Sequence, residues 1–120
     1  VISISSAANN ETIKASDFIF DVINPNVSLV SPYDNQNFNS TNNVTINITA
    51  SDDINLSNCT LWTNTSGLWN PNSTLNYSGT YDTNTFEFLE LSNGTYQYNA
   101  YCCDNQSNCA WNETNSSFNV

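Results

Sequence analysis

LSNGTYQYNAYCC, residues 91–103, is the stretch on which the reading of the fold turns. Asn93-Gly94 is a turn-forming pair, and after it Tyr96, Tyr98, Ala100 and Cys102 recur at every second position. Side chains of a β-strand point alternately to its two sides, so these four share the face that is turned to a core. Cys103 comes one residue later and must face outward.

Working outward, the same period of two appears at residues 43–51, where Val44, Ile46, Ile48 and Ala50 share one face and Thr45, Asn47 and Thr49 the other. Further strand candidates lie near 27–31, 57–63, 84–91 and 109–120, with a short one near 74–80, all separated by clusters of Asn, Asp, Ser, Gly and Pro. No stretch carries a 3.6-residue period, so the chain is all-β, with the seven strands of a Greek-key β-sandwich of the immunoglobulin-like kind. Parity also selects among the three possible pairings of the cysteines. Cys59 shares a face with Leu61, so Cys59 to Cys102 is expected to staple the two sheets through the core, leaving Cys103 to close a short loop with Cys109.

At 120 residues the chain suffices for one core and not for two ordinary domains. Eleven acidic residues oppose a single basic one, Lys14, for a formal charge of -10 without histidine. Such a surface does not neutralise phosphates, which excludes nucleic acid and sets the chain against anionic membranes. No apolar run approaches the length of a membrane span, and residues 1–10 lack the basic start of a signal peptide, so the chain reads as a mature form whose signal has been removed. A zinc reading fails because Cys102 and Cys103 are adjacent and histidine is absent. Four cysteines in such a chain point to disulfides and a secreted, extracellular or cell-surface location.

Only 10% of residues are charged, so solubility rests on asparagine, serine and threonine. Asn10, Asn26, Asn39, Asn43, Asn47, Asn55, Asn58, Asn64, Asn72, Asn76, Asn93, Asn105, Asn112 and Asn115 each begin an N-x-S/T sequon, 14 in all. Random placement would give about six, and the motif is the acceptor for N-linked glycans.

Taken together, PNVSLVSPYDNQNF, NVTINITASDDINLSNCTLW, LSNGTYQYNAYCCDNQSN and the closing SSFNV resemble the immunoglobulin-like repeats of archaeal and some bacterial surface proteins. The resemblance spans residues 24–120 and implies the sandwich and an outward location; Ser107 stands where those repeats usually carry glycine. Residues 1–23 form an extension whose NETIKASDFIFDV echoes the closing NETNSSFNV. Phe18, Phe20 and Val22 lie on one face and Ile19 and Ile23 on the other, with Val1, Ile2 and Ile4 as a second apolar patch, so this strand wants burial on both sides.

Catalytic chemistry is scarce. Without histidine, no Ser, Thr or Cys has a general base, and the pairs Asp52 with Asp53 and Glu87 with Glu90 have no cleft between them, so no enzyme is expected. Asp52, Asp53 and Asp104 would fall in loops at one end of the sandwich, hard oxygen donors suited to calcium, although aspartates also form turns by bonding their own backbone. No other cofactor is expected. Lys14 invites an isopeptide bond, but its polar neighbours do not provide the apolar setting for one. Trp62, Trp69 and Trp111 are suited either to packing or to stacking on sugars.

The functional expectation is a subunit of an extracellular glycosylated filament, in which the N-terminal strand of one copy completes the sheet of the next and identical subunits form a homopolymer, as in donor-strand pili and archaeal threads. Two alternatives accompany it: one repeat of a larger adhesin or surface-layer protein, and a carbohydrate-binding module.

Overall fold

Val44, Ile46, Ile48 and Ala50 are at most 1% exposed, whereas Thr45, Asn47 and Thr49 between them reach solvent. β-branched residues on a pleated, half-buried surface favour this extended form, and the same logic builds the remaining strands. The structure, a computed structural model, describes residues 21–120. Its strands are β1 Asn26–Ser31, β2 Gln36–Asn37, β3 Val44–Ser51, β4 Leu56–Thr63, β5 Asn70–Asn76, β6 Tyr81–Phe88, β7 Thr95–Asp104, β8 Cys109–Trp111 and β9 Ser116–Asn119. No described residue is helical.

A three-stranded sheet, β1-β3-β6, packs on a larger one ordered β2-β9-β7-β4-β5, with β8 also paired to β7. The strand pairs are antiparallel except β2 with β9. The chain therefore changes sheet at every step from β1 to β4 and again between β5 and β6 and between β6 and β7, which is the immunoglobulin-like β-sandwich expected. Phe118 of β9 is fully buried, with Phe38, Tyr96 and Tyr98 ring centroids 5.9, 5.6 and 6.1 Å away. Tyr96, at the start of β7, donates its hydroxyl to the Ser92 carbonyl at 2.6 Å and so fixes the corner that leads into the strand.

Four boundaries differ from the sequence expectation. The strand placed at 84–91 runs instead from Tyr81 to Phe88, because Glu90 takes a left-handed backbone (φ 56) with its N–H held by Asn43 Oδ1 at 3.0 Å. The strand near 74–80 is shifted to Asn70–Asn76, since Gly79 (φ 71) turns the chain across to the other sheet. The last strand, expected to be continuous over 109–120, divides into β8 and β9. Buried Asn99 on β7 causes this: its amide donates to the Asn112 carbonyl at 3.1 Å and to Asn115 Oδ1 at 2.8 Å, so the chain bends around it. The two-residue β2 has no counterpart in the expectation, being too short for a periodic pattern to register.

Cysteine parity is as expected, but the sheet assignment needs correcting. Cys59 is bonded to Cys102 and Cys103 to Cys109. Cys59 and Cys102 are register partners on neighbouring β4 and β7, so their bond lies within the larger sheet and does not join the two sheets. Alternation along a strand fixes which face a residue takes, whereas which sheet it belongs to depends on long-range pairing.

Candidate functional site

One end of the sandwich gathers the connector at residues 21–25, the β3–β4 loop, the β5–β6 loop and the β7–β8 loop. Asp52 opens the β3–β4 loop, and its Oδ2 accepts the N–H groups of Ile54 at 3.1 Å and Asn55 at 2.9 Å, the self-bonding turn that aspartate favours. Asp104 does the same at the end of β7, accepting from the N–H groups of Gln106 and Asn108 and from the Asn108 side chain. That Asn108 amide also donates to the Asp21 carbonyl at 2.8 Å and so ties the connector to the loop. Carboxylate oxygens of Asp21, Asp52 and Asp53 lie within 4.8 Å of one another. Asp21 Oδ2 and Asp52 Oδ1 are buried without a hydrogen-bond partner.

The electrostatics follow from this crowding. Burial raises the Asp21 carboxyl above its ordinary value, and the neighbouring carboxylates of Asp104 and Asp53 push the same way against the Ile23 N–H. Burial also pushes Asp104 upward, but the hydrogen bonds from Asn108 and Gln106 outweigh it and hold the group below its ordinary value. Asp52, Asp53 and Asp104 all lie at this end, but the carboxylates that converge are those of Asp52, Asp53 and Asp21, not Asp104. Asp21 is the member that sequence reasoning missed, because it stands 31 positions before Asp52 in a connector without a motif.

The outer face of the larger sheet carries the tryptophans. Trp62 stands 6.2 Å from Trp69 and 5.4 Å from Trp111 between ring centroids, and Trp111 is 4.9 Å from Tyr101. Trp69 and Trp111 stay 39% and 40% exposed beside a hollow of about 330 Å³ that also borders Asn112, Glu113 and Asn115. Glu87 and Glu90 are both exposed, on β6 and in the loop after it.

Residues 25–100 match the profile of the family described as Bacterial Ig domain. The chain belongs to that family. Among solved structures, the Ig domain is similar to the PKD domain of an M14-like peptidase from a Thermoplasmatales archaeon, with 20% identity over 81% of this chain and 94% of that one, at a TM-score of 0.43. It is also similar to the CARDB domain of a Pyrococcus furiosus protein in complex with di-metal ions, with 17% identity over 79% of this chain and 84% of that one, at a TM-score of 0.39. No curated protein matches the chain. The Ig fold is in general a non-catalytic frame whose functions reside in sites carried on it.

On this Ig domain none of the described sequon asparagines is buried. Asn26, Asn39, Asn43, Asn72, Asn76, Asn93, Asn105 and Asn115 are exposed, and Asn47, Asn55, Asn58, Asn64 and Asn112 are half-buried. Of the strand expected before the domain, Val22 and Ile23 are in no strand and are 81% and 57% exposed. Val1, Ile2, Ile4, Phe18, Ile19 and Phe20, together with Asn10 and Lys14, lie outside the described residues. No helix among the described residues is long and apolar enough to cross a membrane.

Proposed function

We propose that this Ig domain is a non-catalytic building unit of an extracellular, N-glycosylated surface structure. The observation that carries the reading is the placement of the sequons: every described one has its asparagine at least partly open to solvent, on strands of both sheets and in loops at both ends. In a chain with only 10% charged residues, a glycan coat would supply the hydration that charge does not. The disulfides suit the same oxidising environment. Material from the native source should have an intact mass well above the 13.3 kDa of the polypeptide. A mass equal to that of the bare chain would remove the reading.

A second reading, head-to-tail assembly of identical copies, draws on the connector. The sandwich already has its own closing strand, with Phe118 fully buried, while Val22 and Ile23 stand exposed where the chain enters the domain. An apolar strand preceding a complete domain is suited to pairing with a neighbouring copy. Deleting residues 1–20 keeps the described domain whole, and should leave a folded monomer with both disulfides and no filaments by electron microscopy. Filaments from the truncated chain would end this reading. A full-length chain that stays monomeric at every concentration would favour the repeat of a larger adhesin or surface-layer protein.

A further inference from the structure

Asp52 is a buried acidic side chain at the loop-bearing end. It is only 8% exposed, and with Oδ2 bound to two backbone N–H groups, Oδ1 is left buried and without a donor. Asp21 repeats the arrangement, Oδ1 accepting from the Ile23 N–H at 3.0 Å and Oδ2 left buried and without a partner. A turn-forming role explains one oxygen of each carboxylate and leaves the other unexplained. Buried carboxylate oxygens without donors are costly, and crowding two more acidic groups beside them adds repulsion.

We infer that Asp21, Asp52 and Asp53, with Asp104 beside Asp21, form a binding site for a divalent cation of the calcium class. A hard cation among three carboxylate oxygens within 4.8 Å of one another satisfies both orphaned atoms and cancels their repulsion together. Calcium fits better than magnesium. The donors come from two separate segments, and calcium accepts six to eight oxygens in an adaptable shell that water and backbone carbonyls complete, whereas magnesium demands a near-ideal octahedron. The site would have a structural consequence. Asp21 belongs to the connector and Asp52 and Asp53 to the β3–β4 loop, so the cation would fasten the point at which the preceding chain joins the domain.

Calcium titration of the full-length chain with both disulfides intact tests the inference. Extracellular calcium modules bind with Kd values of about 0.1–1 mM, so 5 mM calcium should raise Tm by about 4 °C or more. Sodium chloride of equal ionic strength should not reproduce the rise, and magnesium should give a smaller one. Isothermal titration should find one site, weakened roughly ten-fold or more by Asp52→Asn or Asp53→Asn and unchanged by Glu113→Gln. Asp53 is exposed, so its substitution tests the site even where Asp52→Asn disturbs folding. In hydrogen exchange, calcium should slow the amides of residues 22–24. The inference is overturned if sodium matches the calcium rise, if wild-type protein shows no binding heat, or if Asp53→Asn binds as tightly as the wild type.

Discussion

Inward from β7 stand Tyr98, Ala100 and Cys102, each at 0% exposure; outward stand Tyr101 and Cys103, half-buried, with Trp111 of β8 against Tyr101. Each face has aromatic rings and each has a disulfide, yet their surroundings differ. The inner disulfide links β4 to β7 across a sequence separation of 43, and the outer one links β7 to β8 across 6. The inner hydroxyl, that of Tyr98, donates to the Pro32 carbonyl from inside the core, while the outer rings meet water on one side. Similar side chains should therefore contribute unequally, in proportion to burial and to the length of chain they constrain.

The largest effect should come from the double substitution Cys59→Ala, Cys102→Ala. Loop closure alone predicts a loss of about 4 kcal/mol, and the vacated core volume adds to it. Denaturant unfolding would measure this, and a loss no larger than that for the outer pair would remove the contrast. Cys103→Ala with Cys109→Ala should cost about 2 kcal/mol by the same relation, with the sandwich retained by circular dichroism. Tyr98→Phe should cost about 1–3 kcal/mol, because the Pro32 carbonyl is left buried without its donor. The same residue gives a pH test. Burial raises the Tyr98 phenol from its ordinary value of 10.0 to about 12, so the stability linked to it is intact below 10 and lost as pH rises toward 12. Tyr77, also buried, is raised to about 12 as well, and ultraviolet titration should find both late phenols in the wild type and one in Tyr98→Phe. The smallest effect belongs to Trp69→Ala, about 1 kcal/mol or less given its 39% exposure. Glycan-array binding that disappears in this variant would sharpen the comparison differently, giving the outer face a carbohydrate-binding role.

Much of this contrast could be read from the chain. Alternation at Tyr96, Tyr98, Ala100 and Cys102 fixes the inner face, and adjacency puts Cys103 on the other, since local backbone geometry alone decides both. What escaped was non-local. That β4 and β7 are neighbours in one sheet is a property of pairing, and so the inner disulfide was assigned across the sandwich. The break between β8 and β9 depends on Asn99 reaching Asn112 and Asn115, a side-chain demand invisible to hydrophobic periodicity. Asp52, Asp53 and Asp104 were recognisable as loop residues at a common end, whereas Asp21 joins them through an Asn108 side chain 87 residues away.

Both disulfides lie in the larger sheet, and this distribution governs how the domain would respond to tension along its chain. Force entering through the connector meets β1, β2 and β3 in turn, none of them covalently locked, so these strands can peel away one after another. Extension then stops at Cys59, because the bond to Cys102 carries the load directly past the intervening residues. With 43 positions withheld at about 3.3–3.6 Å each, roughly 140–155 Å of chain remains out of reach until the bond is reduced. The domain thus combines an extensible entry, β1 to β3, with a central stretch of fixed length that includes β5 and β6.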